Sequence, residues 1–86
     1  MTKSKSTPEG SLTGVVKRVA FADGFFRILE VMVLTTDLPW QQPMITVTGP
    51  VGTVREGQVY RFVGHLITNR RYGAQMVARF SEVVAN

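Results

Sequence analysis

The sequence predicts an all-β fold, a small closed or nearly closed barrel, from three observations. Residues that favour strands are abundant: thirteen valines lie between positions 15 and 84, with Ile, Phe, Tyr and Thr among them. No window carries the capped i, i+3, i+4, i+7 apolar stripe of an amphipathic helix. Turn signals recur at about the spacing of short strands, at positions 23–24, 38–39, 49–50, 56–57 and 72–73.

Size and composition favour a compact fold of this kind. The 86 residues allow one small domain, and 44% hydrophobic with 19% charged residues is the balance of a globular chain. Such a domain buries only about 60% of its unfolded surface, and without cysteine it has neither a disulfide nor a Cys-based metal cluster. Apolar runs are far shorter than the roughly 20 residues that span a bilayer, and residues 1–10 lack the apolar segment of a signal peptide. We therefore expect a cytoplasmic protein with no membrane partner.

The chain is expected to divide into a flexible N-terminal arm, residues 1–11, and a folded domain, residues 12–86. Residues 1–10 are polar, include a proline and have nothing to bury. Of the net charge of +4, two lysines against Glu9 give the arm +1, which leaves +3 for the domain. This basic balance favours a polyanionic partner.

The first predicted strand, Leu12–Phe21, bends at its centre. Its inward apolar residues alternate with period two up to Val16 and continue, one residue out of step, from Val19 to the end of the strand. The change of phase falls on Lys17 and Arg18. A β-bulge at that point would bend the strand and let it serve both halves of a barrel.

The second predicted strand, Phe25–Leu34, is almost wholly apolar, so we expect one face to be buried and the other half covered. Phe25 and Phe26 cannot both point inward from a regular strand. Phe25 is the ring that we expect to be exposed. A loop with two prolines, Thr35–Pro43, follows this strand.

Three further strands are predicted, over Met44–Thr48, Gln58–Thr68 and Ala74–Val84. The connection 49–57 contains three glycines and a proline, so it leaves room for one helical turn at most. The last strand changes phase before Val83. The inward residues predicted by alternation are Ile45 and Val47, then Tyr60, Phe62, Gly64 and Leu66, then Met76, Ala78 and Phe80.

Five strands, a bulged first strand and a long connection between strands 3 and 4 predict a five-stranded Greek-key barrel of the OB type. An SH3-like barrel is the alternative, because periodicity does not fix the order of the strands. Catalytic patterns are lacking. His65 stands alone, the six carboxylates are scattered singly, and Gly49–Gly52 is not followed by the lysine of a phosphate-binding loop. We therefore expect no enzyme activity from this chain by itself, no cofactor and no metal.

Basic residues interleaved with aromatic ones predict an interface for single-stranded nucleic acid. In an OB barrel the ligand lies on the outer face of strands 2 and 3, between the loops that join strands 1–2 and 4–5. The second of these loops carries Arg70, Arg71 and Tyr72, which offer charge for phosphates and a plane for bases. The other candidates are Lys17, Arg18, Phe25, Arg27, Trp40, Arg61 and Arg79.

Each candidate has a structural alternative. The arginines are also typical of an ordinary solvated surface, since +3 is a modest charge for the domain. Tyr72 could pack to hold its loop closed, and Trp40 could anchor a loop over one end of the barrel.

The segment Gly64–Met76 resembles a known motif. It is similar to the G-x-W-x-x-H-x-x-Y-G-x-Q-F motif in the N-terminal OB domain of RecD-like (RecD/TraA family) bacterial DNA helicases. The resemblance extends over about residues 12–84, through GxVxxVxF from position 14, FxILxV from 26, VTG from 47 and EGQ from 56. The chain departs from the motif at three positions, where Leu66 replaces Trp, Asn69 replaces His and Met76 replaces Phe.

The resemblance implies an accessory, non-catalytic module of a helicase whose separate motor hydrolyses ATP while it moves along single-stranded DNA. It predicts either the N-terminal piece of such a helicase or a free-standing relative, with roles in DNA recombination and repair. The expected partners are single-stranded DNA and the motor in cis or another repair protein. Two alternatives stay open: a protein-docking domain with little DNA contact, and a free-standing RNA-binding OB protein.

Overall fold

A computed structural model describes residues 8–69, 71 and 73–84. These residues form five strands that close into a barrel in the order β1-β2-β3-β5-β4, with β4 pairing back to β1. β3 and β5 run parallel, and the other neighbours are antiparallel. The predicted all-β barrel is confirmed. The strands are β1 Gly10–Asp23, β2 Phe26–Thr36, β3 Met44–Gly49, β4 Val59–Asn69 and β5 Gly73–Val83.

β1 is the strand that closes the barrel, and its bulges make this possible. It pairs with β4 over residues 10–15 and with β2 over residues 12–23. Val16 pairs with Val31 and Arg18 pairs with Glu30, so that Lys17 is the extra residue of a bulge. The predicted bulge is therefore confirmed, and the bent strand serves both halves of the barrel.

A further register shift between β1 and β2 corrects one prediction. It falls between Val19 and Phe21, so the two residues do not keep the period-two alternation that was expected to carry both inward. Val19 packs against the core, whereas Phe21 is 50% exposed.

The core draws on every strand. The predicted inward residues of β3 and β4, together with Met76 and Ala78 of β5, are buried as expected. Val63 is buried as well, at the register shift of the β4–β5 ladder, so β4 does not alternate strictly. Burial of one such side chain stabilises the fold by about 1.5–3 kcal/mol. The largest fully buried side chains are Phe62, Leu12, Leu29, Met76, Val16, Val31 and Val47.

Phe80 was predicted to point inward, and this prediction is wrong. The ladder between β4 and β5 shifts between Val63 and Gly64, so that Phe80 pairs with Val63, Ala78 pairs with Gly64, and Arg79 is the extra residue. One extra residue turns the following side chain to the opposite face. Phe80 is consequently 37% exposed.

The parallel contact between β3 and β5 is the shortest seam of the barrel. It consists of two residue pairs, Val47 with Met76 and Thr48 with Val77. The backbones are close at this point: a Cβ added to Gly49 would lie 1.9 Å from the Ala78 carbonyl oxygen. Gly49 also has φ +145, so a side chain there would be strained as well as crowded.

The connection 50–58 closes one end of the barrel without a helix. Val51 and Val54 are buried in the core. The Gly57 amide donates to the Val16 carbonyl at 2.7 Å, and the Val19 amide donates to the Glu56 carboxylate at 3.0 Å. Within the described part of the chain, no helix is long and apolar enough to cross a membrane.

Candidate nucleic-acid interface

The outer face of the sheet carries a groove where β2, β3 and β5 meet. The β2–β3 register places Ile28 opposite Thr48 and Glu30 opposite Thr46. Because side chains alternate along a strand, these residues point away from the core that Leu29 and Val47 occupy. The groove, about 510 Å³, is lined by Ile28, Thr46, Thr48 and Gln75, and we call it the groove face.

Two loops bracket the groove face from opposite ends. Arg27 pairs with Gly49, which places the β1–β2 turn beside the carboxyl end of β3. β5 runs parallel to β3, with Met76 beside Val47, so the β4–β5 loop lies near the amino end of β3. The two loops expected to flank a ligand therefore stand at the two ends of the groove.

The β1–β2 turn presents Phe25 and Arg27 together. Phe25 is 77% exposed. Nη1 of Arg27 donates to the Gly24 carbonyl at 2.7 Å and to the Phe26 carbonyl at 2.9 Å. Arg27 therefore braces the turn, and its positive charge lies beside the Phe25 backbone.

The β1 bulge brings both Lys17 and Arg18 to the surface next to β2. Arg18 Nη1 lies 3.5 Å from Glu30 Oε2, and both side chains are about half exposed or more. An exposed ion pair of this kind contributes about 0–1 kcal/mol. A phosphate can compete for Arg18 at small cost, and the two cations lie at the margin of the groove face.

Trp40 stands at the other end of the groove face, in the β2–β3 loop. It packs against the core, and its indole Nε1 is buried without a hydrogen-bond partner among the described residues. This packing agrees with the structural alternative for Trp40, in which the side chain anchors the loop over one end of the barrel. A second hollow of about 320 Å³ lies here, lined by Trp40, Glu30, Met44, Ile45, Thr46 and Ala74.

The loop predicted to be the strongest nucleic-acid contact is described only in part. Arg71 lies in an exposed turn between β4 and β5. Arg70 and Tyr72 lie outside the described residues, as do residues 1–7 of the expected arm.

Arg61 and Arg79 lie on a different wall, the outer face of β4 and the end of β5. Nη1 of Arg61 donates to the Glu82 carboxylate at 2.8 Å. Arg79 donates through Nε and Nη2 to both carboxylate oxygens of Glu9, the second at 2.9 Å, and its guanidinium lies 5.0 Å from the Phe80 ring centroid. We call this wall the paired-charge face.

The pairing changes the acid–base properties of the paired-charge face. The hydrogen bond from Arg79 lowers the pKa of the Glu9 carboxyl, and the charges of Arg79 and His65 add to this effect against a smaller opposing contribution from desolvation. The same hydrogen bond raises the pKa of Arg79. Both groups therefore stay charged, and their charges face each other.

Sequence reasoning missed the groove-lining residues and two aromatic ones. Alternation had already implied that Thr46 and Thr48 point outward, but no pattern within one strand shows that three strands form a concave surface. Phe21 and Phe26 are 50% and 40% exposed. Their exposure was not predicted, because the register shift that turns Phe21 outward depends on the pairing with β2. Among the described residues, no group of three or more His, Cys, Asp or Glu could hold a metal ion.

Comparison with known proteins supports the OB-type barrel. The family model described as "ATP-dependent DNA helicase YrrC, OB-fold domain" matches residues 9–85. Searches of curated proteins and of solved structures found no match.

Proposed function

The chain belongs to the family of YrrC-type OB-fold domains of ATP-dependent DNA helicases, and from this premise we propose that it binds single-stranded DNA on the groove face. The groove face is the observation that carries the proposal. Its side chains include two hydroxyls and an amide that can exchange hydrogen bonds with bases, from Thr46, Thr48 and Gln75. The strand 2–3 face is where OB barrels hold oligonucleotides.

The charges around the groove face suit a phosphate backbone. Lys17 and Arg18 lie along one margin, and Arg71 lies in the loop at one end. Arg70 and Tyr72 are included in the proposal from the sequence alone, Arg70 as a further cation and Tyr72 as a stacking ring. With four cations engaged, the logarithm of the affinity should fall with the logarithm of the salt concentration with a slope of about −2 to −3.

The domain has no catalytic role in this proposal. It serves a RecD-like bacterial helicase in the cytoplasm, where the motor hydrolyses ATP during DNA repair and recombination. The Tyr72-Gly73-x-Gln75 element supports the RecD-like assignment. The motor, in cis or as a separate chain, is the second partner.

A titration of the 86-residue chain with fluorescent oligonucleotides tests the proposal. Single-stranded DNA should bind more tightly at 20 mM than at 200 mM salt, and Arg70→Ala combined with Arg71→Ala should weaken it about tenfold at the lower salt. The combination Arg55→Ala with Arg61→Ala removes the same charge elsewhere and should leave the affinity within about twofold. An RNA of the same sequence serves as the third arm, and tighter binding of RNA would favour an RNA-binding protein.

Docking on the motor is the second candidate, and one observation favours it. Leu34 and Met44 are 53% and 41% exposed near the β2–β3 loop, and they adjoin Met32, which pairs with Met44. An apolar patch of this kind suits a protein partner. If the wild-type chain binds no oligonucleotide even at 20 mM salt, the DNA-binding proposal fails and docking takes its place.

A further inference from the structure

The end of the β1–β2 hairpin is an aromatic tip, formed by Phe21, Phe25 and Phe26. These side chains are 50%, 77% and 40% exposed. The rings of Phe21 and Phe26 meet edge to face, with centroids 6.3 Å apart and an interplanar angle of 67°. Residues 21–23 of β1 pair with β2, and β2 pairs with β3 from Arg27 onward, so the tip forms a short arm that extends past the β2–β3 ladder by Phe26 and the turn.

The aromatic tip is held rigidly. Asp23 pairs with Phe26 across a two-residue turn in which Gly24 has φ +60 and Phe25 does not have a positive φ, as in a type II′ turn. The two hydrogen bonds from Arg27 brace the turn on one side. On the other side the Gly52 amide donates to the Phe25 carbonyl at 2.9 Å, which ties the arm to the connection 50–58. The Phe25 ring therefore projects from a fixed backbone.

A flat protein interface suits this tip poorly. From their exposed fractions and the roughly 150–250 Å² that an aromatic side chain can bury, the three rings present only about 250–420 Å². A stable protein–protein contact needs about 800 Å² from each partner. A small convex aromatic tip has the shape of the apolar wedges that proteins place against base steps.

We propose that the aromatic tip stacks on the last base pair where a DNA duplex opens into a single strand. Phe25 is the contacting ring, and the Phe21–Phe26 pair supports it. Arg18 precedes Phe21 by three residues on the same strand, about 10 Å away, and can reach the adjoining phosphates. This inference rests on the proposed function, because the single strand beyond the junction occupies the groove face.

The test measures the affinity of the full 86-residue chain for three labelled DNAs: a duplex with a single-stranded tail, the tail alone, and the blunt duplex. The wild type should bind the tailed duplex about tenfold more tightly than the tail alone. Phe25→Ala should lose that preference and bind the tailed duplex no more tightly than the tail alone. A 2-aminopurine at the last paired position should report stacking with the wild type and not with Phe25→Ala.

Three variants separate stacking from apolar contact and from general damage. Phe25→Trp should keep the preference, because it keeps an aromatic plane. Phe25→Leu keeps an apolar side chain but should lose the preference. Val83→Ala, at a site 61% exposed on β5, is the matched control and should behave as the wild type.

The inference falls if Phe25→Ala and the wild type have the same affinity for the tailed duplex, which is also the result expected of a protein-docking tip. It falls as well if Val83→Ala loses the preference, or if the wild type binds the tail alone and the tailed duplex equally. That last result leaves the proposed function intact. A wild type that binds the tailed duplex but not the tail alone refutes the groove proposal, and with it the path of the single strand, and leaves only the contact of the aromatic tip with the last base pair. Binding to neither refutes both.

Discussion

The groove face and the paired-charge face arise from the same alternation of side chains, yet they differ in how their charges are used. On the paired-charge face, Arg61 and Arg79 each hydrogen-bond to a carboxylate of the protein. The lining of the groove face is uncharged, and its margin holds Lys17 and Arg18, of which Arg18 pairs with Glu30 at the longer distance of 3.5 Å. A face whose positive and negative charges neutralise each other attracts a polyanion only weakly. The position of an arginine relative to the acids of neighbouring strands thus matters more than the net charge of +4.

The largest expected effect removes the core that both faces share. Phe62 is fully buried, so Phe62→Ala should cost about 3–5 kcal/mol of unfolding free energy in urea denaturation. A loss of this size approaches the total stability of a small domain. Phe80→Ala removes a side chain that is 37% exposed and should cost less, about 1–2 kcal/mol. Equal losses for the two variants would contradict the register at Arg79.

The next effect tests the difference between the two faces directly. Lys17→Ala with Arg18→Ala removes two cations from the margin of the groove face and should weaken binding of single-stranded DNA about tenfold at low salt. Arg61→Ala with Arg79→Ala removes the same formal charge from the paired-charge face and should change the affinity by no more than about twofold. Fluorescence anisotropy measures both. The comparison breaks if the second pair weakens binding as much as the first.

A smaller effect concerns the arm that carries the aromatic tip. Gly24 has φ +60, a conformation that costs other residues about 1–2 kcal/mol. Gly24→Ala should lower the unfolding free energy by about that amount, measured in urea. If Ala proves as stable as Gly, the turn is not held in the geometry described.

The smallest effect is a pH dependence on the paired-charge face. Because its folded-state pKa is lowered from the ordinary value of 4.5, Glu9 contributes stability that is present above that value and is lost as the pH falls through the lower, folded-state pKa. Thermal unfolding of the wild type should therefore shift slightly to lower temperature in acid. The variant Glu9→Gln should lack this component of the pH profile. Identical profiles for the two chains would show that the carboxylate adds nothing to stability.

The fold could be predicted from the sequence to a large extent, because burial on one face imposes a period of two. That period identifies all five strands, and its break at Lys17 identifies the first bulge. Phe21 and Phe80 could not be placed correctly. Each follows a register shift that depends on the partner strand, and one extra residue reverses every side chain beyond it.

The candidate site was less predictable than the fold. Arginines and aromatic residues can be counted along a chain, but their partners come from other strands. Glu82 reaches Arg61 only because β4 and β5 pair in one register, and Glu9 reaches Arg79 across 70 positions of sequence. The groove face needs the topology as well, because Gln75 joins Thr46 and Thr48 only through the parallel contact of β5 with β3.

Because the seam between β3 and β5 is short, a ligand in the groove should stabilise the closed barrel. Thr46 and Thr48 lie on one side of that seam and Gln75 on the other. Under the proposed function, a strand of DNA that contacts both sides would link β3 and β5 where the barrel has its shortest ladder. Ligand that binds only the closed form adds its binding energy to closure. Amide hydrogens around Val47 and Met76 should then exchange with solvent more slowly in the bound domain, and opening of the barrel and release of the strand become one coupled event.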